Sequence, residues 1–124
     1  MNIITLINAA DILNQFANTK VSSKLAYKIM KFCKGVANEE EFYNSKINEI
    51  INTYAEKDED GQVIVNDDGV VRIMQDKIAE ANAAMMELNM LEVDMPNVRF
   101  TLDELDGFEL SATDMFVLDA FIEE

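Results

Sequence analysis

The carboxylates between Glu56 and Asp67 have the spacing of a calcium-binding loop. Acids fall at positions one, three, five and twelve of such a loop, and a glycine falls at position six: Glu56, Asp58, Asp60, Asp67 and Gly61. That loop normally ends in a glutamate, which binds calcium through both oxygens as the next helix begins. Here the shorter Asp67 ends it, and a turn and a strand are predicted to follow. The pattern favours a solvated turn, so we predict no metal site and no cofactor.

Nucleophilic and acid-base catalysis find little support in the sequence. Histidine is absent, and the single thiol, Cys33, follows Phe32 on the apolar side of a predicted helix. A thiol in that position is most often buried and inert. The adjacent acids Asp103 and Glu104 could act as an acid-base pair only if a cleft held them, whereas two acids at a helix start are commonly placed there by the backbone dipole. We therefore expect a binding protein and not an enzyme.

Charge is divided unevenly along the chain. The first 35 residues carry five lysines and one acid, whereas the remaining residues carry five cations and 23 acids, and the net charge is −14. A molecule of this charge repels nucleic acid that approaches to within about one Debye length, about 8–10 Å. Direct binding of nucleic acid is therefore disfavoured, and a protein partner with a basic surface fits better.

A basic stripe of four lysines falls on one helical face: Lys20, Lys24, Lys28 and Lys31. The stripe could follow a phosphate backbone, or it could pair with acids of the same chain or of another copy. Aromatic residues do not interleave with the lysines as a base-stacking surface requires. Pairing with acids is therefore the favoured interpretation.

The elements that position these residues are mostly helices. A short first helix is predicted from about Asn8 to Ala17, and Ser22 or Ser23 can cap a long second helix. Apolar residues then recur at three- and four-residue steps, with an interruption at 35–41 where a bend or two separate helices are possible. The members of this apolar stripe are Leu25, Ile29, Phe32, Val36, Tyr43, Ile47, Ile50 and Tyr54.

The second half of the chain begins with a predicted β-hairpin. Two β-branched segments, 62–65 and 70–73, flank a turn over 66–69 that a glycine closes. A methionine-rich amphipathic helix follows over about 76–91, and the spacing of Thr101 to Glu104 and of Ser111 to Asp114 predicts capping boxes for two short helices. Gly107 is expected to stop the first of these. We find no internal repeat.

We therefore predict a predominantly helical α+β fold with one long helix, one β-hairpin and then amphipathic helices. The chain is expected to form a single domain over 1–124, helical over 1–57, a hairpin over 58–74 and helical over 75–124 with a short extended segment near 92–100. The predicted core consists of Leu25, Ile29, Phe32, Cys33, Val36, Ile47, Ile50, Val63, Val65, Ile78, Met85, Leu88, Phe116 and Phe121.

Four segments carry a similarity to a known group of proteins: Lys24–Ile29, Tyr54–Gly61, Leu91–Asp94 and Phe108–Glu124. Together they resemble small acidic bacteriophage proteins that have no assigned function. The similarity covers residues 20–124, and Tyr54–Gly61 is its most specific part. The resemblance implies a phage or prophage origin and the cytoplasm of an infected or lysogenic bacterium, and it transfers no site residue. A single cysteine also suits a reducing cytoplasm, and no apolar stretch is long enough to span a bilayer.

Charge mimicry is the first of two functional hypotheses. The acidic residues from Glu39 onwards would imitate the phosphate rows of nucleic acid and occupy the basic groove of a host defence or nucleic-acid-handling protein. Complementary charge would give fast association, and apolar helix faces would add affinity. The candidate contacts are Asp58, Glu59, Asp60, Asp67, Asp68, Asp103, Glu104 and Asp106.

The alternative hypothesis is a component of the virion or of its assembly. The long helix and the methionine-rich helix would then pack against copies of the protein or against a virion component, with charge asymmetry setting the docking direction. A mimic should bind basic proteins less tightly as salt rises, whereas a structural component should form oligomers that resist salt. A third interpretation is that the acids only maintain solubility. That interpretation stays open, and between the two specific hypotheses we favour the mimic because it requires the fewest additional features.

Overall fold

The computed structural model describes residues 1–123 and confirms a predominantly helical α+β fold. These residues contain five α-helices: α1 (Ile3–Asn14), α2 (Ser23–Tyr54), α3 (Ile78–Asn89), α4 (Leu102–Leu105) and α5 (Ala112–Leu118). Two short 3-10 helices span Gln75–Lys77 and Asp119–Phe121, and two short strands, β1 (Phe100–Thr101) and β2 (Ile122–Glu123), pair in parallel. None of the described helices combines the length and the apolar content that crossing a bilayer requires.

The described chain forms two compact units. Unit 1 consists of Met1–Glu40 with Glu92–Glu124, and unit 2 consists of Glu41–Leu91. Unit 1 contains α1, the first part of α2, both strands, α4 and α5, whereas unit 2 contains the remainder of α2, the segment after it and α3.

Helix α1 lies inside unit 1 and is covered on most sides. Its buried residues do not form a single stripe, because they include neighbours in sequence: Ile3, Leu6, Ile7, Ala9, Ala10, Ile12 and Leu13. The prediction of a helix over 8–17 is therefore wrong at both ends. Apolar residues on all sides of a helix produce no 3.6-residue period, so the periodic pattern revealed only the second half of α1.

Three phenylalanines tie the elements of unit 1 together. The ring of Phe32 in α2 meets Phe121 edge to face, with centroids 4.8 Å apart, and lies 6.1 Å from the ring of Phe100 in β1. All three side chains are fully buried. Phe16 and Phe108 form a second, stacked pair with centroids 4.3 Å apart. Large aromatic surfaces in contact contribute strongly to core stability.

Helix α2 begins after Ser22, as the sequence predicts, and it continues through 35–41, where the sequence allowed a break. The Ser22 hydroxyl accepts from the Leu25 N–H (3.2 Å), which confirms the serine cap. Gly35 stays helical, and its open side faces Pro96, whose Cβ would lie 3.7 Å from a Cβ at this position. Neither of the two possibilities, a bend or two separate helices, is realised, and a single helical glycine costs only about 1 kcal/mol.

Both predicted capping boxes are confirmed in unit 1. The Thr101 hydroxyl accepts from the Glu104 N–H while the Glu104 carboxylate accepts from the Thr101 N–H. Ser111 and Asp114 make the same reciprocal pair at the start of α5. Helix α4 ends at Leu105, ahead of Gly107. The β1–β2 pairing was not predicted, because it joins distant two-residue segments that have no pattern of their own.

Unit 2 packs α3 beside the last part of α2. Its buried residues are Tyr43, Ala55, Ala81 and Leu88. The Tyr43 hydroxyl donates to the side-chain oxygen of Asn89 (2.6 Å), and burial raises the pKa of that phenol. The predicted methionine-rich helix begins as the 3-10 turn Gln75–Lys77 and continues as α3.

The predicted core divides into three groups. Leu25, Ile29, Phe32, Val36, Leu88 and Phe121 are buried as expected. Cys33, Ile47, Ile50, Val63 and Met85 are partly buried. The prediction is wrong for Val65, Ile78 and Phe116, which are exposed. Helix α5 has only seven residues and buries one side, so Leu118 turns inward and Phe116 outward.

Candidate functional site

The predicted hairpin is part of a ring of three extended segments in unit 2. Residues 55–58, 62–66 and 70–74, here called the three-segment ring, each pair with the other two. The Glu56 N–H donates to the Arg72 carbonyl (2.8 Å), the Arg72 N–H to the Ile64 carbonyl (3.0 Å), and the Ile64 N–H to the Glu56 carbonyl (2.9 Å). The antiparallel pairing expected between 62–65 and 70–73 is present, but as a single isolated bridge between Val65 and Val71 and not as a long ladder. A third segment thus satisfies backbone groups that a two-stranded hairpin leaves open.

Two tight turns project from this ring, and they are built alike. In the turn 58–61 the Gly61 N–H donates to the Asp58 carbonyl (3.0 Å), and in the turn 66–69 the Gly69 N–H donates to the Asn66 carbonyl (2.9 Å). Both glycines have left-handed backbones, with φ of 80° and 83°. We call this pair of turns the acidic turns.

The acidic turns also share a sequence pattern. Each turn has Asp or Asn at the first position, acids at the second and third positions and Gly at the fourth, and a β-branched segment follows it. The two sequences are Asp58-Glu59-Asp60-Gly61 and Asn66-Asp67-Asp68-Gly69. Asp or Asn favours the first position of a type I turn, and Gly tolerates the left-handed last position. The eight-residue repeat corrects our expectation that the chain has none. Matching the turn residues position by position could have found it.

Side-chain hydrogen bonds hold the backbone of the acidic turns. One carboxylate oxygen of Asp58 accepts from the N–H groups of Asp60 (2.9 Å) and Gln62 (3.0 Å). One oxygen of Asp68 accepts from the Val70 N–H (3.3 Å). These bonds fix the turns locally, as acids in such positions commonly do.

The acids of the two turns are exposed and have no ion pair within residues 1–123. Unit 2 carries eleven acids and four cations. Three of those cations pair elsewhere: Arg72 with Glu56, Lys46 with Glu49 and Lys77 with Glu80. The fourth, Lys57, is exposed directly before Asp58 and forms no ion pair with residues 1–123. Asp58, Glu59, Asp60, Asp67 and Asp68 therefore face solvent without an ion pair inside the described chain, and a charge-complementary partner could pair with them.

The other three predicted contact acids lie in unit 1 and are not equivalent. Asp103 and Asp106 are exposed. The carboxylate of Glu104 lies 2.8 Å from the Lys28 ammonium and also completes the α4 capping box. The hydrogen bond from Lys28, opposed by partial burial and aided by the Thr101 N–H, lowers the pKa of Glu104. Glu104 is thus a structural residue of unit 1 and not a freely available contact.

The basic stripe is likewise divided by the structure. Lys28 donates to the Arg99 carbonyl (3.0 Å) in addition to Glu104, so the predicted pairing with an acid holds within the chain for this one lysine. Lys24 and Lys31 line a groove of about 670 Å³ with Lys28 and Arg99, whereas Lys20 lies before α2 and outside the groove.

Tyr27 lies in the same groove. Its side chain is 60% exposed. An aromatic ring does therefore lie among the lysines, contrary to our expectation from the sequence. The loop that carries Asn97, Val98 and Arg99 closes the other side of the groove, and this long-range juxtaposition has no signal in the sequence.

Cys33 is partly buried at a smaller apolar groove of about 280 Å³ in unit 1. Burial, and then the nearby Glu40 carboxylate, raise the pKa of its thiol, so the reactive thiolate is disfavoured at neutral pH. Burial and the charge of Asp11 raise the pKa of Glu40. Among the residues that the structure describes, no group of three or more His, Cys, Asp or Glu side chains could hold a metal ion.

Unit 2 also has an exposed apolar groove between α2 and α3. Its volume is about 190 Å³, and Phe42, Ile50, Leu88 and Leu91 line it together with Lys46, Ala84 and Glu87. Met86, also on α3, is 69% exposed.

No known family model matches the chain, and comparisons with curated proteins and with solved structures found no similar protein.

Proposed function

We propose that the protein is a non-catalytic binding protein whose acidic turns dock on the basic surface of another protein, one that handles nucleic acid. One observation carries the proposal. Five carboxylates without an ion pair inside the described chain stand on two turns of the same design, and a ring of backbone hydrogen bonds holds both. A fixed frame lowers the entropy lost on binding, and unpaired charges of one sign speed the encounter with a basic partner.

The acidic turns lie at opposite ends of segment 62–66. A basic partner therefore meets two separate groups of carboxylates, and complementary charge on the partner would favour docking on both.

The proposed setting comes from the sequence. The resemblance to small acidic phage proteins, which includes Tyr54–Gly61 and hence the first acidic turn, supports a phage or prophage origin. The target would then be a host defence or nucleic-acid-handling protein in the bacterial cytoplasm. Exposed Asp103 and Asp106 would form a second, separate contact in unit 1.

A second candidate function is assembly through self-association, and the apolar groove of unit 2 favours it. Phe42 and Leu91 are exposed at that groove. A second copy could cover them in a C2 contact with the same surface on both sides. Light scattering at low and high salt tests this candidate, because a dimer built on the groove should persist at high salt and dissociate on Phe42→Glu.

The test of the main proposal is a tagged pull-down from bacterial lysate with low-salt and high-salt washes and identification by mass spectrometry. The turn variant carries Glu59→Gln, Asp60→Asn, Asp67→Asn and Asp68→Asn, which keep the side-chain shapes and remove four charges. A matched control removes four exposed charges elsewhere: Glu41→Gln, Asp94→Asn, Glu109→Gln and Asp119→Asn.

The proposal predicts that the wild type and the control capture a basic nucleic-acid-binding protein that high salt releases, and that the turn variant does not. Equal capture by the turn variant would contradict the role of the acidic turns. Replacing Asp103 and Asp106 by Asn in a further variant measures the contribution of unit 1. Capture of copies of the protein alone, retained at high salt, would support assembly instead.

A further inference from the structure

The groove beside the first part of α2 collects most of the positive charge of unit 1. Lys24, Lys28 and Lys31 lie on one side and Arg99 on the other, and Glu123 is the one acid among its lining residues within 1–123. The volume of about 670 Å³ lies within the range of about 300–1,000 Å³ that is usual for small-molecule sites. If the acids of this protein served only to keep its whole surface negative, a positive groove would not be expected at a net charge of −14.

Two of the four cations in the groove are available to a ligand. Lys24 and Lys31 make no hydrogen bond or ion pair with any residue of 1–123. Lys28 is committed to Glu104 and to the Arg99 carbonyl, so it fixes the wall of the groove. One nitrogen of the Arg99 guanidinium donates to the carbonyls of Pro96 (3.0 Å) and Val98 (2.9 Å), which orients the group. Its other N–H groups make no hydrogen bond to residues 1–123.

An exposed ring lies between the two available lysines. Tyr27 stands three residues after Lys24 and four before Lys31, so the three side chains share a face of α2. Seven residues of helix separate the two lysines by about 10 Å along the axis. Aromatic side chains stack on nucleobases, and ammonium groups bind phosphate oxygens.

From this arrangement we propose that the groove binds a nucleoside phosphate, with the base on Tyr27 and the phosphates on Lys24, Lys31 and Arg99. A small ligand fits inside the groove and experiences the local positive charge, whereas a long duplex would also lie close to the acidic surface around the groove and be repelled there. The site therefore accords with the disfavoured binding of long nucleic acid. The ligand is either a free nucleotide or the 5′-phosphate end of a single strand, which share this chemistry.

An acidic segment of a second copy is the competing occupant of the groove. Its carboxylates could pair with Lys24 and Lys31, but they would give the ring of Tyr27 no group to stack on. A second copy also brings its own charge of −14. The exposed ring therefore favours the nucleoside phosphate. The inference stands apart from the proposed function, because it concerns unit 1 and not the acidic turns.

The experiment is calorimetric titration of the full chain with ATP at low salt. Lys24→Gln with Lys31→Gln removes the two available charges, and Tyr27→Ala removes the ring. Lys20→Gln with Lys34→Gln is the matched control, since these lysines do not line the groove. Thermal unfolding of each variant checks that the fold is retained. We expect the double lysine variant and the tyrosine variant each to weaken binding at least about tenfold, and the control to weaken it less than about threefold.

Titrations with further ligands distinguish a free nucleotide from the 5′-phosphate end of a strand and test the role of the Tyr27 ring. Tighter binding of a 5′-phosphorylated oligonucleotide than of ATP would identify a strand end, and the reverse would identify a free nucleotide; either result supports the site. Pyrophosphate binding as tightly as ATP would contradict the role of the ring. The proposal would be overturned if ATP at millimolar concentration did not bind, or if the control weakened ATP binding as much as the Lys24/Lys31 variant does. It would also be overturned by salt-sensitive self-association that only the Lys24/Lys31 variant abolishes.

Discussion

At the scale of single residues, Glu104 shows how one carboxylate serves two purposes. It closes the capping box of α4 with Thr101 and pairs with Lys28, which joins α4 to α2 within unit 1. Both contacts favour the ionised form of the carboxylate, which is why its pKa is lowered. The stability of unit 1 therefore depends on this proton.

Replacing Glu104 by Gln should lower the free energy of unfolding at neutral pH. Glutamine can still complete the capping box, so the loss reports the charge interaction with Lys28. A lowered pKa means that the contribution is present above the ordinary value of 4.5 and is lost as pH falls through the folded-state value. Urea unfolding of both proteins across this range should show the difference narrowing with acid. A difference that stays constant would contradict the assignment.

Glu40 should behave in the opposite sense. Burial and then the charge of Asp11 raise the pKa of Glu40, so the folded state binds this proton more tightly than the unfolded chain. Its ionisation destabilises the fold at neutral pH, and the penalty disappears as pH falls through the raised pKa and below 4.5. Glu40→Gln should therefore raise the melting temperature at neutral pH and have no effect in acid. Destabilisation at neutral pH would show that the ionised carboxylate is stabilising.

At the scale of elements, the end of the chain from α5 onwards presents two phenylalanines in opposite environments. Phe121 is fully buried against Phe32, whereas Phe116 is 84% exposed. Phe121→Ala should cost about 3–5 kcal/mol because a buried ring leaves a cavity. Phe116→Ala should change stability by less than about 0.5 kcal/mol. Chemical denaturation of the two variants checks this, and equal effects would mean that the described face of α5 is wrong.

The acidic turns depend on their glycines through backbone conformation alone. A Cβ on Gly69 would meet no atom within 4 Å, yet its φ is 83°. Gly69→Ala should therefore cost about 1–2 kcal/mol, the usual penalty for a left-handed L-residue. Gly107 is the control, because it is equally open and has no positive φ. Calorimetric unfolding should show a loss for Gly69→Ala only; equal losses would contradict the turn geometry.

Local signals in the sequence predicted local structure well. The spacing of Ser111 and Asp114 correctly predicted the start of α5. The turn at 66–69, which Gly69 closes, also lies where the sequence predicted it. The third segment of the ring was missed because residues 55–58 continue a predicted helix without a change of pattern. Pairings between distant residues, such as β1 with β2 or Lys28 with Glu104, depend on the tertiary fold and have no local signal.

The candidate site was predictable to the same degree. The sequence placed five acids at turns, where the structure has them exposed. It did not reveal that Glu104 is engaged by Lys28 or that Tyr27 shares a groove with Lys24 and Arg99. Those relations require α2, α4 and the loop before β1 to meet within unit 1.

At the scale of the whole molecule, charge has a different organisation in each unit. Unit 2 concentrates exposed acids on the acidic turns, and its cations mostly pair with other acids. Unit 1 gathers four of its six cations in the groove along α2. Each unit has a net charge of −7, and unit 1 combines that negative charge with a local positive groove. Salt should weaken binding at the acidic turns and at the groove, because both act through exposed charge.

The most direct test of the central claim is DNA competition. A basic protein captured by the wild type is bound to a fluorescent duplex, and polarisation is followed as wild type, turn variant or matched control is added. We expect the wild type and the control to displace the DNA, with affinity that falls as salt rises, and the turn variant to be at least about tenfold weaker. Equal displacement by the turn variant, or a ternary complex that leaves the DNA bound, would contradict the account.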